Sequence, residues 1–343
     1  MINNIPPNIT SKVGKNLYTI SNHPICIIKQ KIYDFFDGKR EIFEDLNPYV
    51  DIQMNFDDLL ISEDHPSRSK SDTFYFNERT VLRTHTSAHQ NNLLVKGHRR
   101  FLVTGDVYRK DEIDSSHYPV FHQTEGVCIF ENGEDALEEL KTTLGGLVEH
   151  LFPGCEYRFN DDTFPFTDPS CEVEVKFNNK WLEVLGAGVV HQDIMYNCGI
   201  GDKTGWAFGL GLERLAMVLF QIPDIRYFWT IDDRFLKQFD NGGEGVIFIP
   251  YSKYPPCKRD ISFWLSDKFN YNDFCEIIRE LGRDLVEEIE LVDEFKRKSD
   301  NKESKCYRIT YRSNDRSLTN EEIDSIQNNA RKQIEENLQV EIR

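Results

Sequence analysis

The chain has 343 residues, 39% hydrophobic and 12% aromatic, enough for two folded units, one of them with a substantial core. No apolar run approaches the ~18–20 residues of a membrane helix, and a formal net charge of −17 excludes a generic nucleic-acid binder. The charge is uneven: residues 251–343 carry 17 Lys and Arg against 20 Asp and Glu, so any RNA-binding patch is local and belongs at the C-terminal end.

Residues 1–22 are polar and Asn-rich, which predicts an extended arm. Neither an Arg-rich amphipathic stretch nor a cleavable apolar region is legible in the first thirty residues; a removed presequence and a cytosolic protein both fit. His23 to Phe36 places Ile25, Ile28, Ile32, Phe35 and Phe36 at helical spacing. Pro48 precedes a strand-like run. Leu82 to Gln90, LRTHTSAHQ, gathers two histidines, two threonines and a serine. A polar capping cluster at a helix start explains them. A metal site built on H-x-x-x-H is the alternative, although no acidic third ligand stands at suitable spacing. The eight cysteines, with no C-x-x-C pair, read as reduced core thiols of an intracellular compartment rather than zinc ligands.

Phe101 to Phe130 is the stretch around which the rest is organised: two apolar strands joined by a charged loop, Arg109 to Pro119. On the return strand Phe121, Gln123 and Glu125 share one face. That face is either a solvent edge or the floor of a site for a ligand with a cation and a flat ring. Arg109, Lys110 and His117 in the loop suit phosphates. Gly133 to Phe152 is an amphipathic helix with Ala136, Leu137, Leu140, Leu144, Leu147, Val148 and Leu151 as its apolar stripe.

FPFTDPS, Phe164 to Ser170, is either a rigid aromatic turn in the core or the wall of a pocket where Phe164 and Phe166 meet a third ring edge-on. No hydroxyl-binding partner stands between them, which suits a plain phenyl group. WLEVLGAG, Trp181 to Gly188, puts Glu183 on a strand before small residues that leave room above them. GWAFGLGLERLAMVLF, Gly205 to Phe220, is a glycine-rich strand entering a helix with Leu212, Leu215, Ala216 and Leu219 on one side. The third glycine of a dinucleotide fingerprint is absent; what remains is Arg214 in the first helical turn.

Lys237 to Val246 reads as a boundary. Beyond it Ile261, Phe263 and Leu265 alternate in a strand, and Phe274, Ile277, Ile278 and Leu281 repeat as a helix. Ile289 and Leu291 mark a second strand, and Tyr307, Ile309 and Tyr311 a third. A capping box at Thr319 and Glu322 opens a long helix, with Ile323, Ile326, Ala330, Ile334 and Leu338 inward, and Val340 starts a last short strand. The order β-α-β-β-α-β implies a ferredoxin-like sandwich.

Several of these strings resemble one family in that family's order. The hairpin resembles motif 2 of class II aminoacyl-tRNA synthetases, with VFHQTEG in the phenylalanyl form. The run after Pro48 resembles motif 1, with Asp51 where a Glu is common, and NFDDLL and DHPSR are close to the phenylalanine family's strings. FGLGLER resembles motif 3, and FPFTDPS and IPDIRYFW are phenylalanyl-specific. SKYPPCKRDISFWL and CYRITYR resemble the anticodon-binding domain of single-chain, organellar enzymes, a domain the catalytic subunit of heterotetrameric enzymes lacks.

The resemblance implies an α+β chain. An arm (1–22) is followed by a class II antiparallel-sheet catalytic domain (23–240), a linker (241–250) and a ferredoxin-like α/β sandwich that binds the anticodon (251–343). It implies a monomeric enzyme of the mitochondrial matrix or another organelle that activates L-phenylalanine with ATP and charges tRNA(Phe). Mg2+ would accompany the triphosphate, with ligands the sequence does not identify. By carry-over, Arg109 holds the α-phosphate and the carboxylate being activated. Asp111, where many class II enzymes have Glu, contacts adenine, while Ser116, His117 and Tyr118 close on the nucleotide. Phe121 and Arg214 sandwich adenine. His85, Ser87 and Gln90 line the amino-acid pocket, Gln123 and Glu125 take the ammonium, and Phe164, Phe166, Ala187 and Phe208 surround the ring with Glu183 nearby. Two rivals remain on the residues alone: a class II enzyme for a related amino acid, and a synthetase-like RNA-binding protein without catalysis.

Overall fold

The computed structural model describes residues 3–131, 135–177, 179–230, 233–250, 254–299, 301–313 and 315–343. Seven strands form the larger sheet: β1 (Glu41–Phe43), β2 (Arg100–Tyr108), β3 (Val120–Glu131), β4 (Tyr157–Phe164), β5 (Thr167–Phe177), β6 (Lys180–Val190) and β7 (Lys203–Gly211). Their spatial order is β1-β2-β3-β7-β6-β5-β4. Only the short β1 runs parallel to its neighbour. β2 and β3 pair from Arg100 opposite Cys128 to Tyr108 opposite Val120, which leaves Arg109 to Pro119 as the connecting loop.

Three helices cover the lower face: α1 (Pro24–Phe36), α2 (Ala136–Leu151) and α3 (Leu212–Phe220). The His23 ring accepts the Ile25 amide at 3.2 Å to cap α1, and Pro24 occupies the first turn, where a missing N–H costs nothing. Ile25, Ile28 and Ile32 are fully buried, each contributing roughly 1.5–3 kcal/mol of apolar burial. Asp135 caps α2 by accepting the Leu137 and Glu138 amides; Gly133, where the sequence reading starts this helix, lies outside the described residues. On β7, Trp206, Phe208 and Leu210 point down into this core. The alternate positions Gly205, Ala207, Gly209 and Gly211 therefore belong to the upper face.

The C-terminal unit contains β8 (Cys257–Trp264), α4 (Tyr271–Gly282), β9 (Val286–Lys296), β10 (Glu303–Tyr311), α5 (Asn320–Leu338) and β11 (Glu341–Ile342). Its sheet order, β9-β10-β8-β11, is the ferredoxin-like arrangement. Thr319 accepts the Glu322 amide at 3.2 Å, while the Glu322 carboxylate pairs mainly with Arg316 at 2.5 Å. Leu265 falls just beyond β8. Leu291 is 45% exposed, because β9 is an edge strand with a neighbour on one side only and is exposed from Glu290 onward. Ser252 and Lys253 of the SKYPPC string lie outside the described residues.

Two connecting segments differ from the sequence reading. The expected extended arm contains helical turns at Pro7–Thr10 and Leu17–Thr19, with Ile9 and Tyr18 buried. Its few apolar residues find partners (Ile9 beside Phe74 and Leu82, for instance) that composition cannot show. The expected linker is stitched to the catalytic core. Phe248 is buried against Tyr227 and Phe235, and its amide donates to the Phe220 carbonyl at 2.7 Å.

The loop between β2 and β3 is gripped by the C-terminal unit. Ile113 is buried within that unit's core, and its carbonyl accepts the Ile289 amide at 3.0 Å. Arg279 donates to the Asp111 carbonyl at 2.6 Å, and Arg226 reaches the carbonyls of Asp284 and Arg312.

Candidate active site

Two adjoining cavities open on the upper face, about 570 Å³ and about 280 Å³. Arg109, Asp111, Gln123, Glu183, Gly186 and Gly209 border both.

The larger cavity is apolar at one end and polar at the other. At the apolar end the Phe164 and Phe166 rings stack, 5.9 Å apart at 16°. Ser170 ties their turn by accepting the Phe164 amide at 3.2 Å and donating to the Thr167 carbonyl at 2.8 Å. Gly186 lies under Phe164, where a Cβ would come within 2.7 Å of the ring. At the polar end stand His85, Ser87, Gln123 and Glu125. Glu125 is 1% exposed, and neither of its carboxylate oxygens has a hydrogen-bond partner within the protein. Burial pushes its pKa up to about 7; the Ser87 and Thr86 hydroxyls, close by but outside hydrogen-bond geometry, draw it back somewhat. His85 also lacks partners at both ring nitrogens; burial, with Arg109 adding to it, lowers its pKa to about 3 and keeps the ring neutral.

A buried polar frame holds this end in place. Arg83 crosses over β2 to form an ion pair with Asp106 at 2.7 Å, the side chains 1% and 4% exposed. The crossing requires Gly105, since a Cβ there would fall 2.0 Å from the guanidinium. Asn55 grips Thr84 through two hydrogen bonds of 3.0 Å. The Thr84 carbonyl in turn accepts Arg109 Nε at 2.7 Å, and the Thr86 amide donates to Gln123 at 3.3 Å. His89 belongs to this frame: its Nε2 lies 2.9 Å from Arg83 Nη1, and burial, with Arg83 next, lowers its pKa to about 3. The two histidines of H-x-x-x-H thus do separate work, which overturns the metal alternative for them.

One expected pocket residue is displaced. Gln90 is buried behind the wall, its amide on Asn91 at 3.4 Å. Phe208 lines the larger cavity as expected; it pairs across the strands with Gly126 and Ala187, and its ring also stacks on Phe36 at 5.9 Å. Ala187 also borders the larger cavity while packing in the same core. Ala207, one residue before Phe208, is the lining residue that the sequence reading missed. The signal was present in G-W-A-F-G-L-G, where small residues recur at every second position of a strand.

The smaller cavity is lined by Phe121, Ser116, His117, Tyr118, Arg214 and the Gly209–Gly211 strand end. The Arg109 guanidinium lies 5.4 Å from the Phe121 ring centroid. Arg214 lies 3.6 Å from the Glu183 carboxylate. Nothing comes within 4 Å of a Cβ built on Gly209 or Gly211, so protein packing does not require glycine at either position. Asp114, which sequence reasoning passed over, organises the loop tip: it accepts the Ser116 amide at 2.6 Å and faces His117 Nδ1 at 2.8 Å. Its burial alone would raise its pKa, but His117 and Ser116 more than offset this and hold it below the usual range. The bond to Asp114 raises His117 in return. Tyr118, at the edge of the cavity, donates its hydroxyl to Asp284 of the C-terminal unit at 2.5 Å and stacks on Trp229 at 5.8 Å. Asp111, Glu112 and His117 bring ligand atoms within 4.8 Å of one another beside the cavity.

A buried carboxylate facing two stacked phenyl rings, with an arginine-flanked second cavity beside it, fits an amino acid with an apolar ring held next to a nucleotide. The comparisons agree with this geometry. The profile of the class II core domain (F) of tRNA synthetases matches residues 6–239, and that of the ferredoxin-fold anticodon-binding domain matches residues 252–343. The chain is 55% identical over 355 residues to "Phenylalanine--tRNA ligase, chloroplastic/mitochondrial" of Arabidopsis thaliana, covering 99% of this chain and 83% of that protein. It is 45% identical to the mitochondrial phenylalanine--tRNA ligase of Dictyostelium discoideum, covering 99% and 89%. A phenylalanine--tRNA ligase alpha subunit from Vibrio campbellii is 42% identical, but over only 66% of this chain and 70% of its own. Both units of the fold, in this order and over nearly the full length, place the chain in the family of single-chain, organellar-type phenylalanine--tRNA ligases, class II aminoacyl-tRNA synthetases.

Proposed function

We propose that the larger cavity holds phenylalanine and the smaller one ATP. Reaction then occurs where the two meet, at Arg109. The carboxylate of phenylalanine adds to the α-phosphorus and pyrophosphate leaves. The 2′-hydroxyl of the terminal tRNA adenosine then adds to the carbonyl carbon of the adenylate and AMP leaves. The protein forms no covalent bond in either step; its work is placement and charge neutralisation.

One observation carries this reading: Glu125, buried with two unpartnered oxygens, faces Phe164 and Phe166 across a single cavity. A substrate ammonium supplies the missing partner, and the rings take the benzyl group. Gln123 shares the ammonium, while neutral His85 and Ser87 serve the amino-acid end. Arg109, held by Thr84, neutralises the α-phosphate and the incoming carboxylate. Phe121 and Arg214 take the adenine faces over the open floor at Gly209 and Gly211. The carboxylates of Asp111 and Glu112 have the oxygen donors that Mg2+ prefers; His117 is already engaged with Asp114, so carboxylate ligands fit this ion better. Mg2+ there would neutralise phosphate charge.

We assign residues 3–250 to the catalytic unit, including the packed N-terminal segment, and those from 254 on to the anticodon-binding unit. The monomer is the form in which we expect the enzyme to act, and an organelle is its expected compartment.

The test is phenylalanine-dependent exchange of pyrophosphate into ATP, followed by charging of tRNA(Phe). Arg214→Ala is expected to lower adenylate formation at limiting ATP by about tenfold or more, the scale of losing a desolvated cation–π contact of about 2 kcal/mol. Retention of full exchange by that variant would defeat the assignment of the ATP site.

A further inference from the structure

At the floor of the smaller cavity, which Glu213 borders, lies a side-chain pair that the scheme above leaves without a task. His122 and Glu213 are 0% and 2% exposed. The His122 backbone N–H donates to Glu213 Oε2 at 2.8 Å, and ring Nδ1 lies 2.6 Å from Oε1. The topology explains the geometry. β3 and β7 pair as far as Gln123 opposite Gly211. One residue further on, the chain after β7 has turned into α3 and leaves the ladder. Glu213, in the first turn of α3, puts its carboxylate where the next ladder carbonyl would have been. The His122 ring is held from both sides, stacked on Trp229 at 5.8 Å and edge-on to Tyr18 at 5.6 Å.

The neighbours of this pair are the residues assigned to ATP. Side chains alternate along β3, so with His122 below the sheet, Phe121 and Gln123 are above it. Successive helical side chains diverge by about 100° around the axis, so with Glu213 turned inward, Arg214 is directed at the cavity.

We propose that the buried His122–Glu213 pair is a positioning device that sets the rotation of strand and helix together, so that Phe121 and Arg214 face one another across the space for adenine. Each residue acts through its neighbour on the strand or helix rather than as a named ATP contact. The inference rests on the ATP-site reading proposed above.

Three variants test it in exchange assays with ATP and phenylalanine titrated separately, each first checked for native circular dichroism. Glu213→Asp withdraws the carboxylate by one bond and is expected to raise the KM for ATP roughly tenfold while moving the KM for phenylalanine less than about threefold. Glu213→Gln keeps the length and two hydrogen-bonding atoms, and is expected to recover the ATP KM to within about threefold. His122→Phe keeps the packing on Tyr18 and Trp229, loses the ring contact, and repeats the ATP-selective defect from the strand side. An unchanged ATP KM in Glu213→Asp or His122→Phe overturns the proposal, as does an equal rise for both substrates. Arg214→Ala, run in parallel, separates the failures. If it raises the ATP KM and the pair variants do not, only the positioning role falls; if it leaves ATP binding intact, the site reading itself falls.

Discussion

At the scale of single residues, Glu125 dominates the energetics of the site. Its pKa rises from the ordinary 4.5 to about 7. Between those values the folded protein keeps a proton that the unfolded chain has released, so the stability of the free protein falls as pH climbs through that window. The shift corresponds to roughly 3 kcal/mol of cost for the charged form, which a bound ammonium offsets. Phenylalanine is therefore expected to bind more tightly as pH rises through about 7, read as a falling dissociation constant in calorimetry with proton release to the buffer. Glu125→Gln is expected to flatten that dependence, weaken phenylalanine by more than about tenfold, and raise the melting temperature of the free protein at pH 8. The opposite end of the cavity yields a second expectation. An apolar pocket rejects an added hydroxyl by only about a hundredfold, and no segment of the sequence resembles an editing domain. Tyrosine should support measurable exchange, and a background-level signal would show that a group near Phe164 and Phe166 rejects the hydroxyl actively.

At the scale of elements, β7 and the β2–β3 loop matter most. The small residues of β7 fall on one face, and Gly209 has open space above it. Gly209→Val should then leave the melting temperature nearly unchanged, within about 0.5 kcal/mol of stability, yet abolish exchange by filling the substrate floor. A variant that unfolds instead would show the glycine serving the fold. In the loop, His117 has a raised pKa and Asp114 a lowered one. The raised histidine contributes fully below its ordinary 6.5 and is lost as pH rises through its elevated value; the lowered carboxylate contributes above its ordinary 3.8 and is lost as pH falls. The loop tip should therefore be best ordered in mildly acid solution. Ser116 and His117 amide exchange, compared with that of Asp114→Asn, measures this. Arg83 is the corresponding test of the frame. Arg83→Met strands Asp106 without its partner in the interior and should cost roughly 3–5 kcal/mol, measured by urea unfolding.

At the scale of the whole molecule, the C-terminal unit completes the β2–β3 loop. Ile113 comes from the catalytic unit yet is buried in the core of the other one, so docking and loop order are a single event in this structure. Ile113→Asp places a charge in that core and should undock the units. Faster limited proteolysis between residues 240 and 256, and a larger radius of gyration in solution scattering, are the expected readouts. Unchanged scattering would mean that the polar contacts of Arg226, Arg279 and Tyr118 suffice without the apolar one.

The sequence by itself determined the elements and the chemistry. The apolar periods of α1, α2 and α4, the alternation along β2 and β3, and the strings around Arg109, Glu125, Phe164 and Arg214 are local patterns, readable because side-chain direction follows residue spacing. Tertiary structure decided whatever depends on which strand lies beside which. Only the pairing of β3, β7 and β6 brings Ala187, Ala207 and Phe208 to the wall of one cavity. Only the crossing of Arg83 over Gly105 removes His89 from the site. The N-terminal segment and residues 241–250 look solvated in one dimension because each holds few apolar residues. Those few meet their partners far away along the chain, and burial is a property of the assembled surface.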